Sequence, residues 1–225
     1  MDVNYVGEHL LPGKIGQFFV ILSFGAAILS LISYFFATNN PQEKSWKLLG
    51  RIGFFTNAIS IFIIGITLFY IIYNHFFEYH YAFAHSDEKL PTHFIISSFW
   101  EGQEGSFWLW MFWQVVLGAV LLFKAKSWES PVMTFVMLCQ LFLSTMLIGV
   151  EIFGSRFGSS PFILLRDAMT WPILKDPNYL AMIVDGRGLN PLLQNYWMVI
   201  HPPTLFLGFA SMIVPFAYAA AGLWT

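Results

Sequence analysis

LNPLLQNYWMVIHPPTLFLG, residues 189 to 208, places one imidazole, His201, between a short amphipathic run and a long apolar one, directly before two prolines. Proline disfavours the helical region for the residue before it, so His201 is expected to be extended. Pro203 suits the first turn of a new helix. Upstream, Asn190 and Pro191 have the form of an N-cap followed by an N1 proline. Leu193, Trp197 and Ile200 then fall on one helical face, as in a helix lying on a membrane surface. Downstream, the apolar run continues to Trp224 without a charge, which is long enough to cross a bilayer. The stretch therefore predicts an interfacial helix, a rigid H-P-P junction within residues 190–208, and a transmembrane helix. His201 then stands at the membrane–water boundary, where a neutral imidazole can ligate a metal or a haem iron.

The rest of the chain fits a membrane setting. Of its 225 residues 57% are hydrophobic, 19% aromatic and only 11% charged, outside the range of an ordinary soluble domain. Five runs are long and apolar enough to span: about Ile15 to Ala37, Ile52 to Tyr73, Phe107 to Phe123, Val132 to Phe153 and Pro203 to Trp224. Continuous apolar character argues for helices, since barrel strands would alternate. The expected fold is an all-α, polytopic transmembrane bundle of about five spans with short interfacial helices in its outer loops. Two short connecting loops carry Lys44, Lys47 and Arg51, and Lys124 and Lys126, which puts them in the cytoplasm and the N-terminus outward. The long loops from Asn74 to Ser106 and from Gly154 to Pro202 then face outward, and function is sought there. The net charge of −2, with scattered basic residues, gives no nucleic-acid footprint, and the single Cys139 excludes an internal disulfide. The last run ends at Thr225 with no basic anchor, the pattern expected of an interrupted chain.

Within the outer loops, FWEGQEGSFWLWMFW (Phe99 to Trp113) holds two carboxylates, two glycines and four tryptophans at the start of the third span. Gly102 and Gly105 permit tight turns or close backbone approach, and Glu104 or Ser106 suits a helix N-terminus. An interfacial aromatic belt accounts for Trp108, Trp110 and Trp113 but not for the Gly-Gln-Glu-Gly-Ser between them. A tryptophan surface beside glycines is also suited to a planar hydrophobic cofactor. His75, His80, His85 and His93 lack i,i+4 pairing and any H-E-x-x-H, so they are expected to be solvated loop residues. Glu151 is expected near the outer end of the fourth helix, with Arg156 just beyond it. Arg166 and Arg187 are placed for an anionic partner, because a guanidinium grips a carboxylate bidentately.

Trp100, Gly102, Glu104, Gly105, Ser106, Leu109 and Trp110 resemble the W-x-G-x-E-G-S-x-x-L-W segment of the CcmF/NrfE family of cytochrome c biogenesis proteins. Asn190-Pro191-Leu192-Leu193-Gln194, then His201-Pro202-Pro203 and Leu207-Gly208, resembles that family's N-P-L-L-Q…H-P-P…Y-L-G segment. The resemblance implies that residues 1–225 form the N-terminal part of a cytochrome c assembly membrane domain. The family's tryptophan-rich signature and second outward histidine do not occur in it. It implies that His201 is an outward axial ligand to the iron of haem b, handled as substrate. Trp100, Glu104 and Trp110 would belong to the cofactor or chaperone surface, and Arg187 would meet a propionate. Implied partners are a CcmE-like haem chaperone, apocytochrome c with its CcmH-like thiol-reducing and docking subunits, the remainder of the same protein, and the lipid bilayer. The implied location is the bacterial inner membrane with a periplasmic functional face. The expected role is presentation of haem for thioether attachment, as a subunit of a cytochrome c haem lyase system. The alternative is a non-catalytic scaffold that docks haem chaperone and apocytochrome. A b-haem electron carrier would need paired histidines at depth, which the spans lack. A haem transporter would need a polar file through the helices, and none is evident in sequence.

Overall fold

The computed structural model describes residues 5–225, an almost wholly helical chain built on five long helices: α1 (Leu10–Asn39), α2 (Lys44–Tyr73), α5 (Gln103–Lys124), α6 (Glu129–Ile148) and α8 (Tyr196–Trp224). All five are long and apolar enough to cross a membrane. Helices α1, α2 and α5 begin one to two turns before the apolar runs that announced them. The helices thus project beyond any hydrocarbon layer.

Helices α1, α2 and α6 form the tightest part of the bundle, and small residues are the reason. A Cβ on Gly53 would lie 2.8 Å from the backbone nitrogen of Ser30, so only glycine lets the two helices approach that closely. A buried polar seam runs through the same interface. Ser30 Oγ donates to the Gly50 carbonyl (2.8 Å), Asn57 Nδ2 to the Ser23 carbonyl (2.8 Å), and Gln140 Nε2 to Asn57 Oδ1 (3.2 Å). The spans therefore do contain a file of polar groups, contrary to the expectation from sequence, and these bonds run from helix to helix. At the end bearing the short basic loops, the Glu129 carboxylate, 2% exposed, accepts from Arg51 Nε and Nη2 (both 2.7 Å) and lies 2.8 Å from Lys47 Nζ. Two of the cations read as loop charges thus clasp α2 to α6.

Helix α8 is peripheral. Only Ala210, Ala217 and Ala221 are buried in it, a small-residue stripe lying on α5 and α6. Phe206 and Phe209 meet Trp110, and Phe135 meets both Phe216 and Trp224.

The opposite end carries a folded layer: short helices α3 (His80–His85), α4 (Thr92–Ser98) and α7 (Leu165–Ala168), with 3₁₀ turns and a small core of Phe77, Phe83, Leu165, Leu174 and Tyr179. Helix α6 stops at Ile148, where Gly149 takes φ 72°, and an antiparallel hairpin follows, β1 (Val150–Ile152) with β2 (Ser155–Phe157). Glu151 is therefore not on a helix end. It sits opposite Arg156 in the hairpin register, because the apolar run to Phe153 is shared between helix and strand.

Candidate functional site

The H-P-P sequence does not form a junction. Helix α8 begins at Tyr196 and runs unbroken through His201, Pro202 and Pro203, so His201 is helical and not extended. The cause lies upstream. Asn195 has an extended backbone, and its side chain accepts from the Trp197 and Met198 N–H groups, starting the helix six residues before the prolines. Asn190 does act as a cap with Pro191 behind it, accepting from Leu192 N at 3.0 Å, but it caps a single 3₁₀ turn, Pro191–Leu193. No separate helix ends before the prolines: residues 196–208 all belong to α8.

A proline inside a helix removes one backbone donor, and two in succession remove two. The Met198 carbonyl would ordinarily accept from residue 202. Trp100 supplies the missing donor, its indole Nε1–H reaching that carbonyl at 2.8 Å. His201 lies nine residues from the buried Ala210, about two and a half turns, and so faces away from the bundle. The ring is exposed, and among the described residues it makes no hydrogen bond. Trp197 and Leu205, one turn to either side of it, are exposed on the same face.

Trp100 is held by the segment the sequence had singled out. Gly102 is the N-cap of α5, without a side-chain cap, and Glu104 stands in the first turn, where its charge suits the helix dipole. Ser106 does not cap α5; its hydroxyl donates to the Trp100 carbonyl (2.8 Å). The glycines answer to Tyr81. A Cβ on Gly102 would lie 2.6 Å from the Tyr81 ring and 2.7 Å from His85 Nε2, and one on Gly105 would strike the Phe99 carbonyl. The buried Tyr81 hydroxyl donates to that same carbonyl (2.7 Å) and accepts from Gly102 N (3.1 Å). Burial, and then the nearby Glu104 charge, push its phenol well above the ordinary value. Tyr81 gave no signal in the sequence, because its partners are 17 to 24 positions away.

The tryptophans do not form one open wall. Trp108 packs on Gly65 and donates to the Ile61 carbonyl of α2 (2.7 Å), whereas Trp110 turns to Phe206 and Phe209 of α8. Between α2, α4 and α5 there remains an apolar groove of ≈ 340 Å³, lined by Phe62, Ile66, Phe69, Phe99, Trp100 and Trp108.

The loop histidines are not simply solvated. His85 Nδ1 lies 3.0 Å from Glu101 Oε2, and the other Glu101 oxygen accepts from Asn190 N (3.1 Å), tying the N-P-L-L-Q segment to the start of α5. His80 is half-buried, which lowers its pKa, with the Glu104 charge opposing that shift. Among the described residues no cluster of three or more metal-ligating side chains occurs. Arg166 is already paired, its Nε 2.8 Å from Glu8 Oε1, so it is not available to a further anion. Arg187 is exposed, its backbone N–H bonded to the Phe83 carbonyl (2.7 Å) and its guanidinium over Trp171 and Phe83 at 5.5 and 5.7 Å. Among the described residues it has no carboxylate partner.

Comparison with known proteins matches the motif-bearing part of the chain. A family model described as cytochrome C assembly protein covers residues 100–225. The chain is 30% identical over 158 residues to the cytochrome c-type biogenesis protein CcmF of Haemophilus influenzae, covering 70% of this chain and 22% of that protein. It is 31% identical over 148 residues to NrfE of the same organism, covering 65% and 20%. It is 29% identical over 215 residues to CcmF of Pseudomonas fluorescens, covering 93% and 29%. The solved cytochrome c heme lyase CcmF superposes with a TM-score of 0.69 over 98% of this chain and 32% of its own, at 21% identity, and so shares the fold. The chain spans less than a third of the length of each of these proteins. With its two motifs in order and the family model matched across more than half its length, the chain belongs to the cytochrome c assembly protein family.

Proposed function

We propose that this chain serves cytochrome c maturation by presenting haem, as substrate, for covalent attachment to apocytochrome c, with His201 as an axial ligand to the iron. One observation carries the reading: an exposed imidazole, free of internal hydrogen bonds, on a membrane helix whose backbone is tied down beside it. The donor set fits haem. With neither ring nitrogen engaged, the imidazole could offer one to the iron, and the exposed Trp197 and Leu205 one turn to either side would suit a hydrophobic porphyrin face. Arg187, exposed and without a carboxylate partner, would meet a propionate. Trp110 acts deeper, holding α8 through Phe206 and Phe209, and Glu104 sets the charge around His80.

When bound, haem supplies the vinyl groups that form thioethers with the apocytochrome thiols. The chain's own share is ligation and orientation. The positive-inside rule sets Lys44, Lys47, Arg51, Lys124 and Lys126 in the cytoplasm. The folded layer and His201 then face the periplasm of a bacterial inner membrane, where a haem chaperone and apocytochrome would dock. The test is a titration of ferric haem into the purified chain in detergent, comparing wild type with His201→Ala by absorption and EPR spectra. Loss of the histidine-ligated species in the variant is expected. Identical spectra and affinity would overturn the assignment and leave the docking-scaffold reading.

A further inference from the structure

We propose that Trp100 is a positioning residue for His201. Its indole N–H replaces the backbone donor that Pro202 removes from the Met198 carbonyl, and so holds the turn of α8 carrying the imidazole in helical form. The importance given to that imidazole rests on the proposed function; the positioning itself does not.

The tandem prolines remove the helical donors of two carbonyls, Pro202 that of Met198 and Pro203 that of Val199. For Met198, neither the i+4 neighbour, Pro202, nor the i+5 neighbour, Pro203, has an N–H to give. The residue before a proline also avoids the helical region, so His201 is at the position least inclined to stay in a helix. The Trp100 bond, 2.8 Å to the Met198 carbonyl, acts at that point from outside α8. Trp100 is itself fixed. Its N–H bonds the Ser97 carbonyl (3.2 Å), its carbonyl accepts from Ser106 Oγ (2.8 Å), and the turn around it is packed against Tyr81 through Gly102 and Gly105. Below the prolines α8 is held by Trp110 and the alanine stripe. Above them Tyr196 and Trp197 are exposed, Met198 packs on the core, and the Trp100 indole adds a hydrogen bond from the turn before α5 to this upper turn. Without the bond, the competing state is the one local rules favour, with His201 extended and the imidazole turned off the Trp197–Leu205 face.

The prediction has an internal rescue. Trp100→Phe removes the donor and keeps a ring, while Pro202→Ala returns to Met198 its own helical donor and makes the indole N–H redundant. Spin labels are placed at Gln103→Cys and Tyr196→Cys in a Cys139→Ser background without haem, and the inter-label distance distribution is measured by pulsed EPR. Trp100→Phe should broaden or shift it, and Trp100→Phe with Pro202→Ala should restore the original. A parallel haem titration should show Trp100→Phe weakening retention by about tenfold, the fold-change one lost hydrogen bond carries, with recovery in the double variant. An unchanged distribution in Trp100→Phe, or a double variant as broad as the single one, would overturn the proposal. If distances break and recover as expected while His201→Ala leaves the haem spectrum untouched, the positioning stands and the ligand assignment falls.

Discussion

Replacing Tyr79 by phenylalanine tests how the folded layer is fastened to the bundle. Helix α1 begins at Leu10 without a side-chain cap of its own, and its first N–H groups need partners. They come from almost seventy residues away. Glu78 Oε1 accepts from His9 N (2.8 Å), and the Tyr79 hydroxyl accepts from Gly13 N (2.8 Å) while donating to the His9 carbonyl (2.6 Å). Burial pushes the Tyr79 phenol up to about 12, so it remains a donor at any physiological pH. Phenylalanine keeps the ring volume and opens no cavity, so the loss is confined to two hydrogen bonds. The Tyr79 hydroxyl touches both ends of the first i→i−4 pair of α1, Gly13 N and His9 O, which still have each other when it is removed, so the loss is about 0.5–1.5 kcal/mol for each of its two hydrogen bonds. A sum of about 1–3 kcal/mol corresponds, for a chain of this size, to a fall in Tm on the order of 3–10 °C. The assay is thermal unfolding in detergent followed by near-UV circular dichroism. A shift below about 2 °C would refute the capping argument. Gly13→Ala provides a cross-check, since its Cβ would lie 2.5 Å from the Tyr79 ring and 2.6 Å from the hydroxyl. Because both changes act on one contact, the double variant should fall short of the sum of the singles.

Two further outcomes follow from the same end of the molecule. Gly105→Ala should destabilise by about 3 kcal/mol or more, because its Cβ would collide with the Phe99 carbonyl and the Tyr81 hydroxyl, whereas Gly25→Ala, with open space around it, should be neutral or better; equal melting temperatures for the two would refute this. Acid should weaken the fold through His80. Its folded pKa is lowered chiefly by burial, so the unfolded chain binds more protons, and the associated stability is present above the unfolded value of about 6.5 and is lost as pH falls from there through the folded value. The Tm difference between about pH 7.5 and 5.5 should therefore be smaller in His80→Asn than in wild type, and equal differences would count against the assignment.

The number and kind of spans were legible because hydropathy is a local property, and each helix of the bundle carries one uninterrupted apolar run. The folded layer was not, since its fastenings join residues far apart in sequence: Glu8 to Arg166, His9 to Glu78, His85 to Glu101. A charge whose partner lies 158 positions away reads as free, and Arg166 was misread in that way. Period and composition also say nothing of what a glycine faces, so Gly102 and Gly105 were recognised as close-approach residues without Tyr81 being found opposite them. The end of α6 was missed for a different reason. Val150 and Ile152 serve a helix or a strand equally well by composition, and the break is set by Gly149 at positive φ.

His201 is where local rules and tertiary structure part most clearly. The steric preference of the residue before proline is real, and taken alone it extends His201 and breaks the chain into two helices. Two side-chain groups oppose it: the nearby Asn195 cap, which commits the backbone to a helix before the prolines are reached, and the distant Trp100 indole, which supplies a donor to the Met198 carbonyl. The motif around Trp100 and the motif around His201 are thus halves of one structural device, 101 positions apart, and neither explains its own residues without the other. This also gives the prolines a purpose. An uninterrupted helix would satisfy the Met198 carbonyl internally and leave the upper turn of α8 with one less tie to α5, whereas the tandem prolines expose a backbone acceptor on the face toward Trp100 and let a single side chain set where the imidazole stands.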